Sequence, residues 1–298
     1  MNKHTKGTIS LFGAVLIWGS AFIAQSVGMD LIGPFTFQFF RCGLAVVFLV
    51  AVCLFRDVRK GGMAEFRKKW QSRELWKAGI ICGCALFVAA SLQQIGLVYT
   101  DAGKAGFITA MYIVLVPVLG LFLGRKPSRT TLFSLLPATA GLYLLSCVGV
   151  TEINKGDLCL IGCALAYAVQ ISCIDHFAPE ADGLRMNCIQ GLVVTLLSIP
   201  FMILTETVDM ENILACALPI GYAGILSMGV AYTLQIIGQR YVEPTAASLI
   251  MSLESVVAVI CGAIILHERM SGWELLGCAL VFGAVVISQI PQKSNIPK

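Results

Sequence analysis

Ten predominantly apolar stretches follow one another along the chain, at roughly 8–27, 34–55, 78–98, 102–124, 130–149, 157–175, 184–205, 215–238, 244–266 and 272–291. A run of about 20 apolar residues is what an α-helix needs to cross the hydrocarbon of a bilayer. The gaps are short and polar, which makes each stretch the hairpin partner of the next. Lipid offers no partner to backbone N–H and C=O groups, and these runs are far too long for barrel strands, so helices remain as the spanning structure. Composition closes the soluble route: the 298 residues are 57% hydrophobic and 13% charged, with a mean hydropathy of +0.84, whereas soluble domains are about a quarter charged. The expected fold is an all-α membrane protein with ten transmembrane helices.

The cations orient it. With the N-terminus inside, 17 Lys/Arg fall on the inner side and three on the outer (Lys104, Lys155, Arg269), while Arg41 lies within a span. Short inner loops hold the positive charge of membrane proteins, so both termini are expected in the cytoplasm and the chain in the cytoplasmic (inner) membrane. Lys3 and Lys6 precede an apolar run that is long and lacks a small-x-small cleavage site, so the run reads as a permanent first span. The stretch RDVRKGGMAEFRKKWQSRELWK, residues 56–77, places Met63, Phe66 and Trp70 on one helical face among basic residues. It reads as a short helix on the inner leaflet. Anchoring and topology account for this charge, and no nucleic-acid partner is expected.

The chain also repeats itself. LQQIGLVY (92–99) and LQIIGQRY (234–241) agree at five of eight places, 142 residues apart. At that offset Ala105 falls on Ala247, Ile108 on Ile250, Tyr112 on Glu254, Gly120 on Gly262 and Gly141 on Gly283. Earlier spans align at an offset of 149, which puts Trp18 on Tyr167 and Arg41 on Gln190. The halves are 1–150 and 151–298, five spans each. An odd number of crossings turns the second half upside down, giving two inverted five-helix repeats. That is a plan of secondary transporters, with the substrate near the midplane where the halves meet.

Polar residues inside spans are costly and are read first as functional. Glu254, Tyr112, Trp18 and Tyr167 each sit ten residues into their spans, roughly 15 Å deep. Two come from each half, as a central pocket would require. Glu254 is read as a proton carrier, as the ligand of a substrate ammonium or as a packing acceptor. Arg41, about 12 Å into its span, needs an acceptor: a substrate anion, Glu254 or backbone carbonyls. Lys104, two or three residues into its span, is placed in an outer vestibule. Gln93 falls in the outer third of span 3 and Gln235 in the inner third of span 8, with Gln170 and Gln190 as a second tier. Pro117, Pro137, Pro200 and Pro219 mark bends within spans.

No catalytic residues, metal site or cofactor are read from the chain. Its three histidines lie in the tail and loops, and no P-loop, dinucleotide fingerprint or nucleophile elbow is present. The twelve cysteines read as small packing residues. Any driving force is therefore expected from gradients.

The runs AVLIWGSAF, TDAGKAGFITAMYIVLVPVLG and ASLIMSLESVVAVICGAIILHERMS resemble the EamA family of the drug/metabolite transporter superfamily. The resemblance implies ten helices in inverted halves and secondary transport of small metabolites, often the export of amino acids or related compounds. It matches Trp18, Gly19, Arg41, Glu254 and Glu268 to the family pattern. Ser255 stands where proline usually follows the glutamate, so the ninth span is expected to be straighter. Lys104 replaces a small polar residue, and His267 precedes Glu268 where glycine is frequent.

The expected protein is a secondary transporter, an exporter of small polar metabolites working by alternating access. Trp18, Tyr112, Tyr167 and Glu254 line its central site, with Arg41 and Gln93 toward the outside and Gln235 toward the inside. Its partners are the lipid bilayer, a small-molecule substrate and a proton as coupling ion, and it acts as a monomer or homodimer. The alternative is a membrane-embedded sensor or assembly partner of the same fold, which binds a ligand without flux.

Overall fold

The computed structural model describes residues 2–124, 127–146, 154–265 and 270–289, and the described residues are almost entirely helical. The first half runs through α1 (Lys3–Leu31), α2 (Pro34–Trp70), α3 (Arg73–Tyr99), α4 (Ala102–Ala110), α5 (Tyr112–Phe122) and α6 (Arg129–Ser146). The second half has α7 (Lys155–Phe177), α8 (Gly183–Thr205), the short α9 (Met210–Ala215) and α10 (Ala217–Gly221), and a π-helical segment, Tyr222–Ala231. It closes with α11 (Tyr232–Gln239), α12 (Pro244–Met251), α13 (Leu253–Ile265) and α14 (Gly272–Ser288). Helices fall on every expected stretch. Eight helical runs among the described residues are long and apolar enough to cross a membrane, and Gly272–Ser288 is a shorter apolar helix. His267, Glu268 and Arg269 lie outside the described residues.

The ends of the helices are written locally. Ser72 Oγ accepts the Leu75 N–H at the start of α3, and Pro34 and Pro244 occupy first turns, where a missing N–H costs nothing. Asn154 with Asp157 and Ser271 with Glu274 form reciprocal capping boxes, each satisfying two otherwise orphaned donors. Within α2 the helix breaks at Gly61 and Gly62, and Gly62 has φ +72°, a conformation that favours glycine. Beyond this break Phe66 packs on Trp70 at 6.0 Å and Trp70 on Trp76 at 6.3 Å.

The contacts between halves repeat by inversion. Helices α2 and α8 are counterparts at offset 149, yet they run antiparallel. Thr36 at one end of α2 meets Glu206 just past α8, and Asp57 near the other end meets Arg185 at the start of α8. Adding 149 to 36 gives 185, and subtracting it from 206 gives 57, so the two clasps are images of each other. The glycine contacts follow the same rule. A Cβ on Gly96 would lie 2.6 Å from Leu160 Cγ and 3.3 Å from the Gly156 carbonyl. On the counterpart Gly238 it would lie 2.5 Å from Leu11 Cγ and 3.0 Å from the Gly7 carbonyl. Side chains large and apolar enough for a core, such as Phe122, Leu204 and Leu218, stand outward instead, as a lipid-facing surface requires.

Candidate functional site

Where the halves meet, two long helices are interrupted at places one residue out of register in the repeat. The fourth span breaks at Met111 between α4 and α5, and the ninth at Ser252 between α12 and α13. Met111 N–H bonds to the Ile108 carbonyl at 3.2 Å, and Ser255 N–H to the Ser252 carbonyl at 3.2 Å. Both are tightened, 3₁₀-type bonds that mark a local departure from the α-helix. The ninth span is therefore interrupted although Ser255 replaces proline. Ser252, three residues before Ser255, keeps right-handed helical φ/ψ (−62°, −16°), so the interruption is a local tightening of one turn. Tyr112 follows one break directly and Glu254 lies two residues past the other.

Tyr112 and Glu254 are buried and touch: the Tyr112 hydroxyl donates to Glu254 Oε1 at 3.1 Å. They are each other's counterparts at offset 142. A residue can touch its own repeat image only near the axis relating the halves, so this bond marks that axis. Around it the Tyr167 and Tyr232 hydroxyls are 3.2 Å apart, and Tyr167 also donates to Gln93 Oε1 at 3.2 Å. Trp18 meets Tyr232 edge-on with centroids 5.0 Å apart. The ten-residue π-helical segment lies directly before Tyr232 and Gln235.

These groups line one narrow cavity of about 40 Å³, room for a few water molecules. Trp18, Arg41, Gln93, Tyr112, Tyr167, Gln235 and Glu254 all line it. So do Phe22, Gln25, Thr109, Ile171, Ser227, Tyr232 and Met251, which the sequence reading left out. Gln25 and Tyr232 had a signal, as polar groups within apolar spans. Their counterparts, Ile174 and Ala90, are apolar, so a search for polar groups paired across the repeat passes over them.

Arg41 does not reach Glu254. Its Nη1 donates to Gln25 Oε1 at 2.7 Å, and Gln94 Nε2 donates to the same oxygen at 2.6 Å. The Arg41 guanidinium also lies 5.6 Å from the Phe37 ring centre. On the opposite side Gln190 takes Arg41's place. It accepts from Gln170 at 3.5 Å, which in turn accepts from Gln235 at 3.5 Å. The site thus has two buried networks, one holding a cation and the other neutral. Arg41 Nε and Trp18 Nε1 are buried with no hydrogen-bond partner among the described residues, leaving donors for a bound molecule.

Lys104 stands apart from the cavity. Its ammonium pairs with Asp157 Oδ2 at 2.6 Å, and both side chains are largely buried. Asp157 is itself held by the Asn154 capping box and by Thr100 Oγ1 at 3.2 Å. The lysine read as a vestibule cation is compensated here by a carboxylate of the second half. The reason is invisible along the chain, because Asp157 lies 53 residues away.

Known proteins are similar to this chain over most of its length. The chain matches the EamA-like transporter family twice, over residues 5–147 and 154–289. It is 30% identical over 288 residues to an uncharacterized transporter of Archaeoglobus fulgidus, covering 96% of this chain and 86% of that protein. It is 22% identical over 303 residues to the uncharacterized transporter YetK of Bacillus subtilis, covering 98% and 89%. Similarity extends to a chloroplastic WAT1-related protein, At3g02690, of Arabidopsis thaliana: 23% identity over 302 residues, covering 96% and 70%. A solved crystal structure superimposes with a TM-score of 0.79 over 96% of this chain and 97% of the other, at 19% identity. That likeness shows the fold.

Proposed function

The chain belongs to the EamA-like transporter family, and from that premise we propose that it carries small zwitterionic metabolites, amino acids or related compounds, out of the cell by alternating access. Membership makes it a membrane transporter of a small molecule. The finer reading rests on one observation: a single cavity at the meeting of the halves is lined by one acid, Glu254, and one base, Arg41, and the bonds of each run to neutral groups. A buried charge without an opposite partner is costly. A substrate bearing an ammonium and a carboxylate removes both costs at once, with Trp18, Tyr167 and Tyr232 flanking its side chain.

In this reading the ammonium sits against Glu254 and the carboxylate takes the free donors of Arg41 and Trp18. The cavity in its present form admits little more than water, so loading requires the interrupted helices to separate at one end or the other. The breaks at Met111 and Ser252 are the places where the fourth and ninth spans can bend. When no substrate is bound, Glu254 takes up a proton instead, which couples export to the proton gradient. The basic loops face the cytoplasm, both termini are cytoplasmic, and the chain resides in the cytoplasmic membrane. Two inverted halves already supply two gates, so a monomer suffices, and a homodimer would leave the pathway within each protomer.

The test is counterflow in proteoliposomes loaded separately with amino acids, amines, nucleosides and organic anions. Uptake of labelled amino acid into amino-acid-loaded vesicles, and its absence with the other loads, is the expected result. Flux confined to amines or to organic anions would overturn the zwitterion. Saturable binding without flux would point to a sensor of the same fold.

A further inference from the structure

At the basic end of the molecule the surface between α2 and α8 is hollowed into a groove of about 430 Å³. Its walls are Val46 and Val50 of α2 with Ile189 and Leu192 of α8, and its end is closed by Phe66 and Trp70 beyond the glycine break. The walls belong to helices long and apolar enough to span a membrane, so the groove opens sideways toward lipid. Phe66 and Trp70 lie beyond Gly61 and Gly62, whose non-helical φ/ψ break α2. Trp76 holds the turn in place, its Nε1 donating to the Trp70 carbonyl at 2.8 Å.

The segment at the mouth of the groove is predominantly basic. Residues 56–77 carry eight Lys/Arg and three Asp/Glu, a surplus of five (8 − 3). Two of the three acids are paired, Glu65 with Lys69 at 3.0 Å and the fully buried Asp57 with Arg185 and Lys69, while the third, Glu74, is exposed in the first turn of α3 and does not line the groove. Arg67 is exposed on the rim and has no ion pair among the described residues. Trp70 links the groove to the clasp beneath it, its ring lying 5.7 Å from the Arg185 guanidinium.

We propose that this groove binds an anionic phospholipid, with one acyl chain between α2 and α8 and the headgroup phosphate against Arg67. An aliphatic chain fits apolar walls that open to the bilayer, and an anionic headgroup answers the surplus cations at that depth. A second copy of this chain fits less well, because it would bring the same cations to the same place. The site is separate from the central cavity and does not depend on what that cavity carries.

Native mass spectrometry of the full-length protein in detergent, with equimolar phosphatidylglycerol and phosphatidylcholine, tests it. Wild type is expected to retain one phosphatidylglycerol in preference to phosphatidylcholine. Arg67→Gln, which removes an exposed side chain and leaves the fold alone, is expected to lower that retention roughly fivefold without changing phosphatidylcholine. Val50→Phe and Leu192→Phe, filling the groove from opposite walls, are expected to abolish the retained lipid. Equal retention of the two lipids, or an Arg67→Gln variant that binds like wild type, would overturn the proposal. So would filled grooves that keep the lipid, which would leave only a charged surface, or a lipid-free dimer formed through this face.

Discussion

Glu254 and Arg41 are the acid and the base of the proposed central site, and each can be changed with little disturbance to its neighbours. Glu254→Gln keeps an oxygen for the Tyr112 hydroxyl, so the fold should survive, with an unchanged thermal midpoint. Counterflow of an amino acid should fall on the order of 100-fold, the loss expected when one partner of a buried charge contact is removed. Any residual flux should lose its dependence on pH. A variant that transports at the wild-type rate with its pH profile intact would take Glu254 out of the mechanism. Arg41→Gln installs on one side of the axis the residue already present on the other at Gln190. It should weaken amino acids relative to amines lacking a carboxylate, read as a reversal of their ranking in competition for counterflow. An unchanged ranking would assign Arg41 to holding Gln25 and Gln94 in place. Much of this site was legible because a polar residue in an apolar span stands out. The Gln25–Arg41–Gln94 network was not, because its three members come from three helices.

Among the helices, the breaks and the glycine contacts matter most. Met111 and Ser252 carry no local signal for a helix break: neither is Gly or Pro, and both keep right-handed helical φ/ψ. The glycine contacts invite a paired experiment. Gly96→Ala would press its methyl into Leu160, and Gly238→Ala would press its methyl into Leu11. Each should cost about 1–3 kcal/mol, the range for overpacking a fixed interface, and the two costs should be similar. Thermal unfolding in one detergent measures both. A large loss at one glycine with none at the other would show that the repeated contact is not energetically repeated.

Across the whole molecule, α2 and α8 are fastened at both ends, but by different chemistry. At the basic end Asp57 and Arg185 are both fully buried, and Arg185 also reaches Asp182, which Arg56 meets at 2.6 Å. At the other end Glu206 accepts the Phe35 and Thr36 N–H groups at 2.7 Å and the Thr36 hydroxyl at 2.7 Å, so a carboxylate caps the start of α2. Asp57→Asn should cost about 3 kcal/mol, since removing one partner strands a buried charge. The double variant Asp57→Asn with Arg185→Gln should recover part of that loss, as seen in thermal midpoints. If the double variant fell by the sum of the single losses, the two residues would be acting independently and not as a clasp.

Alone, the sequence determined that this chain is a membrane protein, that its helices come in two related sets, and which polar side chains interrupt its apolar spans. Each of these follows from what lipid does to exposed backbone and charge, a constraint that acts on every segment separately. The tertiary structure decided which of those side chains meet. It brought Tyr112 onto its own repeat image, paired Lys104 with Asp157, and left Arg41 and Glu254 in one cavity without each other. Those outcomes depend on how the two halves face across an axis, and residues 53 to 142 positions apart become neighbours only once the helices have packed.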